Sequence, residues 1–226
     1  MQIFESNLPT FRYHWKWGPS LPTYLAASRV IVFELNNPEF VERSKAITAK
    51  LSAPKNHGGI SMEEVGFRWM AAANQLLREA LLAQGVDLPA KCTEFDPNVA
   101  LLHDQVRYHH DMPIWSAVLG AWCLDGPERV LRFPEMGVEV PFRPGTVVLF
   151  DSAQPHGLLR PGATEYALFE DAGEHPISMV SFSLLKDDTI QKLLGIARYD
   201  ASLNAEVRHT VDQYRVCDQT GAISFR

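Results

Sequence analysis

The most restrictive feature of this sequence is a series of short apolar runs between Pro89 and Lys186, separated by turn-forming residues. Aspartate, glycine and proline occupy the gaps, as in LDGPE and FRPG. Short strands with repeated turn signals are typical of antiparallel sandwiches and barrels. The sequence therefore predicts a mainly β fold with flanking helices and a core over about residues 90–186. The runs that predict strands are VALL, QVRYHH, WSAVLGAWCL, RVLRF, VEVPF, GTVVLF and ISMVSFSLL.

A long amphipathic helix is predicted before this core. Ser61 and Glu64 have the spacing of a capping box, and Gly85 is placed where a helix would stop. Apolar residues recur at helical spacing between these signals, which indicates a helix that covers a sheet. The residues expected on its apolar face are Val65, Trp69, Ala72, Leu76 and Ala80.

The remaining segments complete a single predicted domain over residues 1–226. The β-branched run RVIVFEL, residues 29–35, predicts a buried strand within the N-terminal part, residues 1–89. After the core, DDTIQKLLGIA and SLNAEVRHTVDQY have helical patterns, so residues 187–226 are expected to be helical.

Composition weighs against several classes of protein. The formal net charge of −6 disfavours a general phosphate-backbone binder, so we do not expect nucleic acid as a partner. The three cysteines lack paired spacing, which is typical of a reduced intracellular protein. No basic start followed by an apolar run is present at the N-terminus, and no apolar stretch is long enough to span a bilayer. We expect a soluble, cytoplasmic protein without a membrane partner.

The stretch FRYHWKW, residues 11–17, alternates aromatic and basic side chains. In an extended strand this pattern gives one aromatic face and one basic face. The pattern favours an edge strand whose aromatic face packs on the core. Stacking of nucleobases on the same face is the alternative, and it would suit a nucleic-acid demethylase.

The stretch RYHHDMP, residues 107–113, predicts a metal site. In an extended chain His109 and Asp111 share one face while His110 points to the other. His156, at the entrance of a later strand, can supply a third ligand if the sheet rolls up. Two histidines and one carboxylate on one face of an octahedral ion leave open positions, which suits non-haem Fe(II). A hydrogen-bonded pair of His109 and Asp111 without metal is the simpler alternative.

On these residues the chain resembles the Fe(II)- and 2-oxoglutarate-dependent oxygenases over roughly residues 99–186. The match consists of His109-His110-Asp111 and His156, the latter within GTVVLFDSAQPHGL. The resemblance implies a double-stranded β-helix, with His109, Asp111 and His156 as catalytic metal ligands. It also implies Fe(II), 2-oxoglutarate as co-substrate and dioxygen, with hydroxylation of an unactivated C–H bond. Desaturation and demethylation share this core. The substrate would be a small molecule or an amino acid or peptide.

The basic residue with which this family usually anchors 2-oxoglutarate is absent from its usual place in this sequence, where Glu165 and Tyr166 stand. Arg160 is the first substitute, because positions 156, 158 and 160 share a face of an extended strand. Arg132 is a second candidate, and Tyr108 could donate a hydrogen bond to the bound acid. An arginine suits the task because its planar fork meets a carboxylate through two bonds.

Two other classes of protein are compatible with these residues. One is a cupin-like protein that binds a metal or ligand without oxygenase activity, although Gly145 lies too far ahead of His156 for the cupin pattern. Another is an oxygenase of the same fold that does not use 2-oxoglutarate. His103 and Asp104 are adjacent in LLHDQ and face opposite ways, which favours a surface or turn role.

Overall fold

The structure is a computed structural model, in which residues 14, 15 and 225 are described by their backbone alone. The residues that it describes are 1–6, 14–15, 24–52, 60–89, 95–102, 104–111, 117–167, 176–203 and 213–225.

Strands dominate this part of the chain, and helices lie before and after the central run of strands. The helices are α1 (Pro38–Thr48), α2 (Phe67–Ala83) and α3 (Asp188–Leu194). The strands before α2 are β1 (Gln2–Glu5), β2 (His14–Trp15), β3 (Tyr24–Leu25), β4 (Arg29–Glu34) and β5 (Ile60–Glu63). The central strands are β6 (Asn98–Leu102), β7 (Val106–His109), β8 (Ala117–Asp125), β9 (Arg129–Phe133), β10 (Val138–Phe142), β11 (Thr146–Phe150), β12 (His156–Leu159) and β13 (Ile177–Leu185). The last two strands are β14 (Tyr214–Val216) and β15 (Ile223–Phe225).

The central strands form a double-stranded β-helix. The large sheet has the order β1-β4-β11-β8-β13-β6-β5, and the small sheet has the order β10-β9-β12-β7. From β6 to β13 the chain contributes four strands to each sheet, and every pairing between them is antiparallel. This strand order confirms the predicted fold class and places β7 and β12, which carry the predicted histidine ligands, side by side.

The large sheet is apolar on both faces because each face covers a different core. Trp122 on β8 points outward and stacks on Phe40 of α1, with ring centroids 5.0 Å apart. Its neighbours Ala121 and Cys123 point inward, between the two sheets. The inner core also receives side chains from both sheets, including Phe133, Phe150 and Leu158. The helices thus cover the outer face of the large sheet. Its inner face and the small sheet enclose the space in which a binding site can lie.

Helix α2 begins later than the sequence predicted. Ser61 lies in β5, so the predicted capping box does not form, and the helix starts at Phe67 after Gly66. Gly85 follows the helix with φ of +83°, as a glycine stop requires. The buried face is also displaced from the predicted one and consists of Trp69, Ala73, Leu77 and Leu81. The pairing of β5 with β6 accounts for the late start, because residues 60–63 are held extended at the edge of the large sheet.

The C-terminal segment is only partly helical. Asp187 caps α3 by accepting a hydrogen bond from the Ile190 backbone N–H at 2.9 Å. Beyond it the predicted second helix falls largely outside the described residues, and β14 and β15 form a hairpin instead of helix. The sequence also did not predict α1, whose start is capped by Asn37. No helix in the described ranges is long and apolar enough to cross a membrane.

The prediction for residues 11–17 lies almost wholly outside the described residues. Only the backbone of His14 and Trp15 is described, and it pairs with Leu25 and Tyr24. An extended strand is confirmed at these two positions. The packing of the aromatic side chains stays a prediction.

The displaced buried face of α2 can be tested by two leucine substitutions. We expect Leu77→Ala to reduce the free energy of unfolding by roughly 2–5 kcal/mol, because Leu77 is fully buried. Leu76→Ala removes the same atoms from a partly buried position and should cost clearly less. Chemical denaturation of both variants measures the difference, and equal losses would contradict the register described here.

Candidate metal centre

The small sheet brings His109 and His156 together through an irregularity in β7. Leu158 on β12 pairs with Val106, whereas His156 pairs with His109, so β7 holds one extra residue between the two pairs. Such a bulge resets the alternation of side chains along a strand. Val106 and His109 therefore both face the space between the sheets. Tyr108 lies between them on the outer side, where it packs over Gly157.

The three predicted ligands converge at the end of these two strands. One potential ligand atom from each of His109, Asp111 and His156 lies within 4.8 Å of the others. Both histidine Nε2 atoms lie 3.6 Å from an oxygen of Asp111. Adjacent ligands of one ion with bonds of about 2.1 Å lie roughly 3 Å apart. Small side-chain rotations would therefore close the cluster around an ion.

Both histidines present the same ring nitrogen to the cluster. The Nδ1–H of His109 donates to the carbonyl oxygen of Arg107, and that of His156 donates to the carbonyl oxygen of Gln154, each at 2.8 Å. A carbonyl oxygen can only accept, so each Nδ1 carries the proton and each Nε2 keeps its lone pair. Fixing the tautomer in this way is how proteins commonly orient metal-binding histidines.

The cluster is buried on one side and open on the other. The side chain of His156 is 7% exposed, whereas those of His109 and Asp111 are 31% and 40% exposed. Burial, with a further contribution from the nearby His109, lowers the pKa of His156 to about 4. His156 is therefore neutral at pH 7, so its Nε2 can bind a cation without first losing a proton.

The loop between β11 and β12 holds two of the three ligands from behind. The carbonyl oxygen of Ser152 accepts a hydrogen bond from the backbone N–H of Asp111 at 3.0 Å. The carbonyl oxygen of Gln154 accepts from the His156 ring, and that of Ala153 accepts from the hydroxyl of Tyr214 at 2.7 Å. The positions of the ligands therefore depend on the position of this loop.

A buried carboxylate fixes the loop in turn. Asp151 is completely buried and accepts hydrogen bonds from the backbone N–H groups of Ala27 and Ala153, at 3.1 and 3.2 Å. The side chain of Lys186 is 3% exposed, and its ammonium lies 3.6 Å from the same carboxylate. Burial lowers the pKa of Lys186 to about 8, although Asp151 opposes that shift. Sequence reasoning missed this pair, and its one local signal was an acid placed directly after the apolar run TVVLF.

A cavity of about 150 Å³ opens directly behind the ligands, between the two sheets. Besides the three ligands, its described wall carries one polar side chain, Ser181. The rest of the described wall consists of Ile60, Leu102, Val106, Leu119, Gly120, Ala121, Leu131, Phe142, Phe150, Leu158 and Met179. The site thus combines a polar rim of ligand atoms with an apolar interior.

The structure places Arg132 and Tyr108 on the outer face of the small sheet. Arg132 donates to the carbonyl oxygen of Ala163 at 2.8 Å and pairs with Glu139 at 2.6 Å. The hydroxyl of Tyr108 donates to the carbonyl oxygen of Thr164 at 3.1 Å. The inward residue of β9 at this level is Leu131, which lines the cavity. Neither side chain is among the described residues that line the cavity, and the anchoring role predicted for them stays a prediction.

Arg160 follows the end of β12, where its guanidinium turns to Asp104. Its Nε donates to the Asp104 carboxylate at 2.9 Å, and Arg129 donates to the other oxygen of the same carboxylate. Burial raises the pKa of Asp104, but hydrogen bonds from Arg160 and Arg129 outweigh burial and lower it below its ordinary value. Asp104 is a turn residue, as predicted, but a buried one. The predicted anchor Arg160 is thus part of a cluster of two arginines around one acid.

His110 points away from the three ligands, as the sequence predicted. Its Nδ1 lies 3.2 Å from the carbonyl oxygen of Asp111, and its ring lies 5.0 Å from that of Tyr214. His103 lies outside the described residues. Among the described residues, His110 is not part of the ligand cluster.

Solved structures that are similar to this chain include Fe(II)- and 2-oxoglutarate-dependent oxygenases. A Pseudomonas putida prolyl-4-hydroxylase is 19% identical at a TM-score of 0.41, over 70% of this chain and 92% of that one. A viral collagen prolyl hydroxylase from Paramecium Bursaria Chlorella virus-1, in complex with 2-oxoglutarate, is 13% identical at a TM-score of 0.45, over 69% of this chain and 95% of that one. A 2OG-Fe(II) oxygenase family member from Burkholderia pseudomallei is 16% identical at a TM-score of 0.43, over 69% of this chain and 84% of that one.

No protein-family model matches the sequence, and no curated protein matches it. The solved structures above are weakly similar, since their TM-scores lie below 0.5. The fold assignment therefore depends on the strand order of this chain itself.

Substitution of each histidine tests the ligand set. We expect His109→Ala and His156→Ala to abolish stoichiometric Fe(II) binding, because each removes one of three ligands. His110→Ala is the matched control and should retain Fe(II), since its ring faces Tyr214. Metal analysis after anaerobic loading and gel filtration measures the result. Equal loss in all three variants would contradict the assignment.

Asp151→Asn tests whether the buried pair positions the ligands. Removing the charge leaves the Lys186 ammonium buried without its counter-charge and loosens the loop that holds Asp111 and His156. We expect the Fe(II) affinity of the folded variant to fall by about 10–100-fold, the usual effect of losing a partner behind a ligand. Competition with a chelator measures the affinity. Asp125→Asn, which removes an exposed partner of Lys45, is the control and should bind as the wild type does.

Proposed function

We propose that this chain is an Fe(II)-dependent dioxygenase that uses a 2-oxo acid as co-substrate. The sequence resemblance implies that this acid is 2-oxoglutarate. The observation that supports it most is the convergence of His109, Asp111 and His156 on the rim of an apolar cavity. Two imidazoles and one carboxylate are the ligand set of non-haem Fe(II) oxygenases, and they leave positions open for reactants.

The chemistry of the donor atoms fits Fe(II). His109 and His156 each keep a lone pair on Nε2, and Asp111 adds one negative charge. The ion would supply the open coordination positions at which a chelating acid and dioxygen react. The protein's own part is to fix both tautomers, to hold Asp111 through Ser152, and to exclude water from the cavity.

The cavity fits 2-oxoglutarate only in part. Its keto-acid end can chelate the ion beside the rim, which is polar. Its second carboxylate would lie among apolar side chains, where an unpaired charge is costly. Arg160 is the predicted anchor for it, and this guanidinium is bound to Asp104. The proposal therefore depends on a 2-oxo acid and does not depend on the second carboxylate.

We propose hydroxylation of an unactivated C–H bond as the reaction, on a small molecule or on an amino acid or peptide. Asp111 and His109 border solvent, so a substrate group can approach the ion from that side. The apolar walls favour reaction at a carbon without nearby charge, since they exclude water from the oxidant. The alternative of metal binding without oxygenase activity uses the same three ligands and differs only in turnover.

Coupled measurement of dioxygen and carbon dioxide tests the proposal. We expect the Fe(II)-loaded protein with a 2-oxo acid to consume dioxygen and to release carbon dioxide in equal amounts, even if slowly without its substrate. Asp111→Ala should reduce both rates to those of free Fe(II), because one ligand is lost. A protein that binds Fe(II) stoichiometrically yet consumes no dioxygen with any 2-oxo acid would favour the metal-binding alternative.

A further inference from the structure

We propose, on the basis of the function proposed above, that the co-substrate is a 2-oxo acid with an apolar side chain and not a dicarboxylic one. Behind the three predicted ligands, the part of the cavity wall that the structure describes is hydrocarbon apart from Ser181. An isobutyl or benzyl group on the 2-oxo acid would fill this cavity without leaving a charge unpaired.

Three apolar residues of the cavity wall determine this preference. Leu158 follows His156 on the same face of β12, and Leu131 stands across from it on β9. Met179 contributes from β13 in the large sheet. These three residues line the cavity into which the side chain of a chelated acid would extend. A second carboxylate among them would lose its water, and the one polar side chain in the described wall is the neutral Ser181.

Two arginines that lie within two positions of this wall in sequence already share a carboxylate. Arg160 and Arg129 both donate to Asp104, whose side chain is 5% exposed. Drawing either guanidinium toward a ligand would weaken the pairing of a buried acid, which is costly. The cluster is therefore better explained as a structural ion-pair contact between the β6–β7 turn, β9 and the end of β12 than as a site for a second carboxylate.

The size of the cavity agrees with a compact apolar group. Its volume is about 150 Å³. A dry cavity of roughly that volume lined by leucine, isoleucine and phenylalanine binds benzene in a well-studied engineered protein. A phenyl or isobutyl group is of that size, whereas the methyl group of pyruvate would leave most of the space empty.

The overall reaction balances with such an acid. One molecule of the 2-oxo acid, one of dioxygen and one C–H bond give the acid shortened by one carbon, carbon dioxide and one C–O–H group. The bond between carbons 1 and 2 of the acid breaks, and its two electrons with the two from the C–H bond reduce dioxygen. One oxygen atom enters the shortened acid and the other enters the substrate.

Anaerobic titration of the Fe(II)-loaded protein tests the preference without turnover. The probes are 4-methyl-2-oxopentanoate, phenylpyruvate, pyruvate and 2-oxoglutarate, and visible charge-transfer absorption reports chelation by each. We expect 4-methyl-2-oxopentanoate or phenylpyruvate to bind at least about tenfold more tightly than both other acids, a difference that corresponds to roughly 1.4 kcal/mol. Tighter binding than pyruvate shows that the side chain is recognised.

A charge placed in the wall should reverse the order. Met179→Lys keeps a long unbranched side chain and adds an ammonium that can meet a second carboxylate, so it should favour 2-oxoglutarate over the apolar acids. Met62→Lys introduces the same change at an exposed position on β5 and should keep the wild-type order. If Met179→Lys fails to fold, the order of affinities in the wild type decides alone.

The outcomes separate this inference from the function on which it depends. Tighter binding of 2-oxoglutarate by the wild type, or an apolar acid that binds no better than pyruvate, would overturn the inference and leave a 2-oxo-acid oxygenase. If 2-oxoglutarate binding is then lost in Arg160→Met, Arg160 is the anchor after all. Absence of a charge-transfer band with every acid, while Fe(II) is bound, would overturn both proposals.

Discussion

The pairing of β7 with β12 is the constraint on which the candidate site depends, and it depends in turn on a single extra residue in β7. In regular antiparallel pairing, the partner of His156 would be Tyr108, since Leu158 pairs with Val106. The bulge moves His109 into that position and turns Tyr108 outward over Gly157. Without it an aromatic ring would occupy the place of an imidazole, so the candidate metal site depends on strand register as much as on residue identity.

Much of this arrangement could be predicted from the sequence because the signals are local. The alternation of apolar runs and turns predicted the β core, and the spacing of His109 and Asp111 predicted their shared face. The association of His156 with them followed from its place at a strand entrance. The strand order confirms the β core, and the three side chains lie close together as predicted. Their role as metal ligands stays a prediction.

The features that sequence reasoning missed depend on partners far apart along the chain. Asp151 meets Ala27 and Lys186, which belong to distant segments, so no local pattern marks the pair. The sequence also did not predict which face of β9 points inward, because RVLRF has apolar residues and one arginine on each face. Only the register against β12 shows that Leu131 points inward and Arg132 outward. The prediction of where α2 begins was wrong for the opposite reason. A local capping signal at Ser61 indicated a helix, but the pairing of β5 with β6 holds this residue in a strand.

The uneven exposure of the three ligands sets an order of events at the centre. An ion arriving from solvent meets Asp111 and His109 first, because His156 is almost completely covered. It must leave by the same opening, which is also where a substrate would sit. A bound substrate would then block this opening, so metal exchange would be fast in the protein without substrate and slow during turnover. If iron occupies this site, a chelator could reach it through the same opening, so the active fraction of the protein would follow the supply of iron.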